Sequence, residues 1–229
     1  MIRSSEQIKQ NVINHLCWDD RVDASDIKVE ASGNKVTLSG IVPTYNVRKA
    51  ALDDALFVAG VNSVENNIEV HYPAEVPVPS NVEVKTNIEN SLIWNQSVDS
   101  SNIKITVNHG KVTLEGFVDS FWRKTRVEEL VSGITGVVSV KNMLAVGPLK
   151  NALDEKITEE IIAALNRMGH VNADRVNVEV DNGKVTLSGK VSDWLSYYSA
   201  YDAVRYTRDV VDVVNNLIVE QNQVMIGYE

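Results

Sequence analysis

The hexamer KVTLSG occurs twice in this chain, and a third copy differs from it only in reading KVTLEG. The copies begin at Lys35, Lys111 and Lys184, so they are offset by 76 and then 73 residues. Apolar residues recur at matching positions on both sides of each hexamer, without a gap inside any copy. This period is longer than that of the common solenoid repeats. The chain is therefore expected to fold as a row of small domains, each with a core of its own.

The extent of the repeat predicts three domains, at residues 5–72, 81–147 and 152–221. Three of the five prolines lie within residues 73–80 and predict a stiff, extended linker. Domains of this size have thin cores, and Cys17 is the only cysteine, so no disulfide within the chain can support them. We therefore expect packing between the repeats to add to their stability.

Each repeat has the pattern of an α-β-β-α-β unit. Ile8, Val12 and Leu16 form one apolar stripe of a first helix, and Ser4 or Ser5 is placed to cap it. Two alternating stretches follow and indicate strands with one buried face, joined at Gly33-Asn34 or its counterparts by a hairpin turn. The glycine that ends each hexamer lies in the inward phase, where it predicts the close crossing of a helix backbone or a bend in the strand.

A second helix and a closing strand complete each unit. The connection through this helix predicts a parallel crossover between the second and third strands. The fold class is thus α+β, with three two-layer sandwiches in tandem, each a three-stranded sheet with two helices on one face. The second helices are expected at about 44–59, 120–135 and 193–208, and the closing strands at about 61–72, 137–147 and 210–220.

Composition and charge exclude some classes of function. The net charge is −9, and nucleic-acid binding is not expected, since it needs a basic surface. The middle repeat is neutral, whereas its neighbours are acidic. No segment has the roughly 20 apolar residues of a membrane span. The N-terminus lacks the apolar core of a signal peptide, which predicts a cytoplasmic protein, or a periplasmic one if the native N-terminus is missing.

These motifs resemble those of the BON domain, named for bacterial osmotic-shock and nodulation proteins. The hairpins read GNKVTLSG, HGKVTLEG and NGKVTLSG, and the closing strands read VNSVENNIEV, VVSVKNMLAV and VDVVNNLIV. The resemblance covers nearly the whole chain, three times. It implies a non-enzymatic module of osmotic or envelope stress, acting through phospholipid or a membrane surface, with potassium-ion binding in some relatives.

The segment FWRKTR is the strongest candidate for a binding site. It opens the second helix of the neutral repeat, where aromatic rings beside cations suit an anionic lipid headgroup or an acidic partner surface. An aromatic also stands at the first of these positions in the other repeats, as Tyr45 and Trp194, which favours a core role there. The candidate residues are Phe121, Trp122, Arg123, Lys124 and Arg126.

Other polar groups have simpler structural interpretations. The acidic run from Asp19 to Asp26 lacks the alternating pattern of a calcium loop and is expected to serve as caps and solvated loop. The four histidines lack metal-ligand spacing, so neither a metal nor a cofactor is expected. Trp18 and Trp94 follow the first helices and are interpreted as packing residues of the loop. No catalytic motif is found, so the chain is not expected to be an enzyme.

Three hypotheses about function stay open at this stage. The leading one is a binding or scaffold protein that acts through a lipid or protein surface. The second is a sensor that binds potassium between its modules and closes them. The third is a homo-oligomeric structural protein that pairs through an open strand edge.

Overall fold

A computed structural model describes residues 4–72, 77–147 and 153–220 of the chain. It confirms three copies of the α-β-β-α-β unit, called domains 1, 2 and 3 below. The helices are α1 (Ser5–Trp18), α2 (Tyr45–Phe57), α3 (Asn81–Trp94), α4 (Phe121–Ser132), α5 (Asp154–Arg167) and α6 (Trp194–Arg205). The strands are β1 (Ile27–Ser32), β2 (Lys35–Val42), β3 (Ser63–Val70), β4 (Ile103–Asn108), β5 (Lys111–Val118), β6 (Ser139–Val146), β7 (Val176–Asp181), β8 (Lys184–Val191) and β9 (Asp212–Val219).

The hexamer strand is the centre of each sheet. In domain 1 the order is β1-β2-β3, with β1 antiparallel and β3 parallel to β2. The two other sheets repeat this order and register. The parallel crossover through the second helix is therefore confirmed, and it places the start of that helix at the carboxyl ends of the two parallel strands.

The apolar stripe of the first helix packs as the sequence predicts. Ile8, Val12 and Leu16 are buried on one face of α1, where they join Val36 and Leu38 of the hexamer strand in the core of domain 1. Ser4 is the N-cap, and its side chain forms a capping box with Gln7. Ser80 caps α3 in the same way.

The glycine that ends each hexamer is required because the backbone just before the paired antiparallel strand passes very close to it. Gly40, Gly116 and Gly189 all have positive φ, between 119° and 132°. A Cβ on Gly116 would lie 1.9 Å from the carbonyl oxygen of Asn102, which directly precedes β4. Of the two predicted explanations, the crossing of an α-helix backbone is wrong, because the close neighbour in each domain is the residue directly before the paired antiparallel strand, which in domains 1 and 3 ends a short 3₁₀ turn.

Two predictions about the C-terminal ends of the helices are also wrong. Trp18 and Trp94 are the last residues of α1 and α3 rather than packing residues of the loop, and their exposed fractions are 78% and 84%. They lie two residues beyond the last residue of each apolar stripe, so they turn away from the core. The second helices are shorter than expected at their C-terminal ends, since α2 ends at Phe57 and α4 at Ser132.

The expected packing between repeats is present, and domain 1 contacts domain 2 through the start of α2 and the end of β3. The hydroxyl of Tyr72 accepts a hydrogen bond of 2.5 Å from the amide of Gly136 and lies 3.5 Å from the carbonyl oxygen of Val137. A Cβ on Gly133, at the end of α4, would lie 3.4 Å from Nδ2 of Asn46.

Domain 2 contacts domain 3 through α4 and α6. The ring of Phe121 meets that of Tyr201 edge to face, with centroids 6.3 Å apart. A second contact lies nearer the C-terminal ends of both helices, where the guanidinium of Arg205 in α6 donates a hydrogen bond to the carboxylate of Glu129 in α4.

Domain 3 returns to domain 1 through the start of α6. The indole Nε1 of Trp194 donates a 2.9 Å hydrogen bond to the carbonyl oxygen of Val61. The ring of Tyr198 lies 5.7 Å from that of Phe57. The three second helices therefore meet head to tail in a closed ring, in which the start of each one contacts a later part of the next.

Candidate functional site

The segment 121–126 forms the first turns of α4, and its first residue is part of the interior. The hydroxyl of Ser120 caps this helix by accepting a hydrogen bond from the amide of Arg123. Phe121 is buried and packs in the hydrophobic core of domain 3 although it belongs to domain 2. Its side chain therefore forms part of the contact between domains 2 and 3. This agrees with the core role that Tyr45 and Trp194 suggested for this position.

Arg126 is also engaged in the contact between domains 2 and 3. Its Nη1 lies 3.2 Å from a carboxylate oxygen of Glu129, and Arg205 binds the other oxygen of the same carboxylate. Burial raises the pKa of Glu129, but the hydrogen bonds from Arg205 and Arg126 outweigh it and hold that pKa below its ordinary value. Two cations and one anion thus form a partly buried network between α4 and α6.

Residues 122–126 are all partly exposed, and Trp122, Arg123 and Lys124 are the candidate residues among them that do not bind Glu129. The guanidinium of Arg123 lies 6.0 Å from the ring centroid of Trp122, within the range of a cation–π contact. Its Nε donates a 2.8 Å hydrogen bond to the carbonyl oxygen of Ser97, and its Nη1 lies 2.5 Å from Asp119. These contacts hold Arg123 in place while one side of it faces solvent.

An open cavity of about 280 Å³ lies next to Arg123. The side chain that makes it apolar is Phe117, which is 59% exposed. Val118 follows Phe117 on β5 and is buried, so Phe117 points to the outer face of the sheet. Sequence reasoning missed this residue, although the period-two phase of the hexamer strand would have identified it. The cavity is lined by Asp99, Asn102, Phe117, Val118, Asp119, Arg123 and Gly147.

The same combination does not recur in the other two domains. At the position of Phe117, domain 1 has Ile41 and domain 3 has Lys190, and at the position of Arg123 they have Val47 and Ser196. Domain 3 has a smaller cavity of about 170 Å³ at the equivalent place, where Arg175 and Lys190 are paired with Glu220, as Arg123 is with Asp119, and no aromatic side chain lines it. The exposed aromatic beside a cation is a feature of the neutral domain.

The acidic run is only partly explained by capping and solvation. Asp23 caps a short 3₁₀ turn by accepting a hydrogen bond from the amide of Ser25, as expected. Asp19, in contrast, is buried and bound by the guanidinium of Arg21. Among the residues that the structure describes, no group of three or more histidine, cysteine or acidic side chains is arranged to hold a metal ion.

One serine–histidine contact was not anticipated. Nε2 of His170 lies 2.8 Å from the hydroxyl oxygen of Ser199 in domain 3. The nearby carboxylate of Asp193 accepts hydrogen bonds from the amide of Ser196 and the hydroxyl of Ser192, because it caps α6. It is thus not bonded to the imidazole, and the third group that orients a catalytic base is not seen at this contact.

Taken together, the three repeated α-β-β-α-β sandwiches define a class of tandem-repeat α+β proteins. A protein-family model of the BON domain matches residues 4–72, 80–148 and 153–221. The chain therefore belongs to the BON domain family. No helix in the described parts of the chain combines the length and the apolar character that crossing a bilayer requires.

Two curated relatives share part of this sequence. The osmotically-inducible protein Y of Escherichia coli (strain K12) is 30% identical over 141 residues, which cover 60% of this chain and 68% of that protein. A 21 kDa hemolysin of Actinobacillus pleuropneumoniae is 28% identical over 139 residues, covering 56% of this chain and 72% of the hemolysin.

A solved structure also aligns along most of the chain. It is CdsD, a structural protein of the type III secretion system of Chlamydia trachomatis, with 13% identity and a TM-score of 0.28. The alignment covers 93% of this chain and 92% of CdsD. A score this low carries no argument about the arrangement of the domains.

Proposed function

We propose that this protein is a non-enzymatic binding protein of osmotic or envelope stress adaptation, which contacts an anionic phospholipid surface through domain 2. Its membership of the BON family and its similarity to an osmotically-inducible protein support the stress role. The contact is assigned to Trp122, Arg123 and Phe117, and Lys124 adds a second cation. Phe121 and Arg126 act indirectly, because they dock domain 2 on domain 3.

One observation carries this proposal. Domain 2 exposes the ring of Phe117 beside the guanidinium of Arg123, which in turn lies over the half-buried ring of Trp122. Aromatic rings favour the boundary between headgroups and acyl chains, and a cation beside them is attracted to anionic headgroups. The neutral charge of this domain leaves it the least repelled by an anionic surface of the three domains.

Liposome flotation tests the proposal. The full chain is mixed with vesicles of phosphatidylglycerol and phosphatidylcholine, and with vesicles of phosphatidylcholine alone. We expect binding to the anionic vesicles that weakens as salt rises, and a loss of most of it in Trp122→Ala and Phe117→Ser. Trp94→Ala is the matched control, since Trp94 is a more exposed tryptophan of the same domain.

Unchanged flotation of both variants, with folding verified by circular dichroism, would refute the lipid contact. The same preparation tests the alternatives. A potassium sensor would change its radius of gyration when potassium replaces sodium at constant ionic strength. A homo-oligomer would show a mass that rises with concentration. A lipid-binding protein is expected to show neither effect.

A further inference from the structure

The outer face of the domain 2 sheet carries more positive charge than the equivalent faces of its neighbours. The three sheets share one register, so the side chains that point away from the helices can be compared position by position. On domain 2 this face has three lysines and one glutamate, which give a net charge of +2. On domains 1 and 3 it has two lysines and three carboxylates, which give −1 in each case. The charged residues of the domain 2 face are Lys104, Lys111, Glu115 and Lys141.

Two of these lysines have no carboxylate beside them. In domain 1, Nζ of Lys35 lies 2.6 Å from a carboxylate oxygen of Glu65. Lys111 is the equivalent of Lys35, but the position of Glu65 is taken by Lys141. Within the part of the chain that the structure describes, neither Lys111 nor Lys141 forms an ion pair, whereas the third lysine of the face lies 3.2 Å from its glutamate. The two neighbouring cations are therefore left for an external anion.

The other end of the same face is apolar. Phe117 lies opposite Ala145 in the ladder, and Met143 precedes Ala145 by two residues on the same side of β6. Diagonal neighbours of this kind are within reach of long side chains, and Phe117 and Met143 are both more than half exposed. At the position of Met143 the other domains have Asn67 and Asn216. The sheet of domain 2 therefore combines unpaired lysines with an exposed apolar pair on one face.

This combination is complementary to an anionic bilayer surface. A lysine ammonium is a compact charge on a flexible stem, whereas a fixed protein carboxylate is bound best by the planar fork of arginine. The lysines thus suit phosphate groups that move laterally, and their stems can lie along the sheet while the charges reach the headgroups. An aromatic ring and a methionine side chain can enter the boundary between headgroups and acyl chains. Each basic residue close to an anionic leaflet adds to the attraction.

We propose that the outer sheet face of domain 2 lies against the anionic bilayer, with Lys111 and Lys141 at the headgroup phosphates and Phe117 and Met143 in the interfacial region. This inference rests on the proposed function, because it adds the sheet to the lipid contact already assigned to Phe117 and Arg123. Arg123 borders the same face, since it lines the cavity next to Phe117. The negative faces of domains 1 and 3 are repelled by such a surface.

The test uses the full chain in flotation with the same anionic vesicles. Lys111→Gln and Lys141→Gln are each expected to weaken binding about fivefold, the contribution of one basic residue near an anionic leaflet. Lys141→Glu restores the pairing of domain 1 and lowers the charge of the face by two units, so it should weaken binding about 25-fold. Met143→Ser should weaken binding about fivefold, because it removes an apolar side chain from the interface. The three side chains are exposed, and circular dichroism verifies that the variants fold.

Two controls make the same chemical changes on the outer sheet face of domain 3. Lys184→Gln alters the lysine equivalent to Lys111, whose Nζ lies 4.0 Å from the carboxylate of Asp212, and it changes the net charge of the chain by the same amount. Ile218→Ser removes an apolar side chain of β9 that is more than half exposed. Both controls are expected to bind the vesicles like the native chain.

The outcomes separate this inference from the proposed function. If Trp122→Ala loses binding while the lysine and methionine variants keep native affinity, the sheet contact is refuted and the proposed function stands. Controls that weaken binding as much as their counterparts in domain 2 would also refute the sheet contact, since the effect would then be one of overall charge or apolarity. If Trp122→Ala, Phe117→Ser and the sheet variants all bind normally, both proposals fail.

An acidic protein surface is the alternative occupant of this face. Fluorescence anisotropy with labelled polyglutamate tests it on the same variants. If Lys111→Gln and Lys141→Gln lose polyglutamate binding but float normally, the face binds acidic protein and its lipid contact is refuted. If they lose flotation and the native chain does not bind polyglutamate, the bilayer is supported as the partner.

Discussion

The carboxyl groups of Asp54 and Asp19 are both buried in domain 1, with exposed fractions of 5% and 8%, and the charge of each group affects the other. Among the described residues, Oδ2 of Asp54 has no hydrogen-bond partner, so burial penalises its charged form. Hydrogen bonds from Arg21 lower the pKa of Asp19 to about 2. Burial, followed by the charge of Asp19, raises the pKa of Asp54 to about 6, although His15 and Arg21 oppose this. Asp54 therefore keeps its proton up to about pH 6 and is mostly ionised at neutral pH.

The first prediction concerns the pH dependence of domain 1. The folded chain keeps the proton of Asp54 up to about pH 6, whereas the unfolded chain releases it near 4. Stability should therefore fall as pH rises from about 4 to about 6. Because the carboxylate is then buried and charged at neutral pH, Asp54→Asn is expected to stabilise domain 1 at pH 7 by about 1–3 kcal/mol.

Hydrogen-exchange mass spectrometry on α1 and α2 measures this effect locally. In Asp54→Asn the amides should exchange more slowly at pH 7, after correction for intrinsic rates, and the loss of protection between pH 4 and 6 should disappear. Asp20→Asn is the control, since Asp20 is the exposed neighbour of Asp19. Protection that is equal in the native chain and in Asp54→Asn at every pH would contradict the raised pKa of Asp54.

The second prediction concerns the glycine that ends each hexamer. Gly189→Ala forces a Cβ to within 2.1 Å of the carbonyl oxygen of Arg175, at a φ of 119°. Strain and overpacking together should cost about 3 kcal/mol and unfold much of domain 3. Gly169→Ala in the same domain meets no atom within 4 Å. It should change stability by less than about 0.5 kcal/mol.

Urea unfolding followed by circular dichroism compares the two variants. A separate transition of domain 3 at lower urea is expected for Gly189→Ala alone. If Gly189→Ala unfolded at the native midpoint, the tight backbone crossing would be wrong.

The fold could be predicted from the sequence because its determinants are local and are written three times. The stripe of Ile8, Val12 and Leu16, the alternating strands and the turn residues each specify an element with its own period. Because the pattern occurs three times, a residue that deviates in one copy does not obscure it. The neighbour of Gly40 was missed, because its positive φ and its contact with the carbonyl of Asp26 depend on where β1 begins.

The candidate site was only partly predictable, since two of its determinants are contacts between distant residues. The sequence favours a core role for Phe121, but only the structure shows that this core is that of domain 3. The binding of Arg126 to a carboxylate that domain 3 also binds depends on the docking of that domain. Likewise Asp54 and Asp19 come together only when α2 packs on the end of α1. The outward phase of Phe117, in contrast, was present in the strand pattern. Features that depend on residues close together in the sequence could thus be predicted, whereas contacts between residues far apart in the sequence could not.

The third prediction concerns the four tryptophans. Trp18 and Trp94 are largely exposed at the ends of their helices, whereas Trp122 and Trp194 are half-buried, and Trp194 lies at a domain junction. In chains that retain a single tryptophan, with phenylalanine at the other three positions, acrylamide should quench Trp18 and Trp94 most strongly. Trp194 should show the bluest emission of the four. Weak quenching of Trp18 and Trp94 would restore their interpretation as packing residues.

The fourth prediction concerns the contact that closes the ring. Trp194→Phe keeps an aromatic ring but removes the donor that binds the carbonyl oxygen of Val61 at 2.9 Å. Loss of this hydrogen bond should weaken the docking of domain 3 on domain 1 by about 1 kcal/mol. Small-angle scattering in moderate urea should then show a larger radius of gyration than the native chain, before the secondary structure is lost. Trp94→Phe is the matched control, because Trp94 is exposed at the end of α3. Equal radii for Trp194→Phe and Trp94→Phe would show that the ring does not depend on this bond.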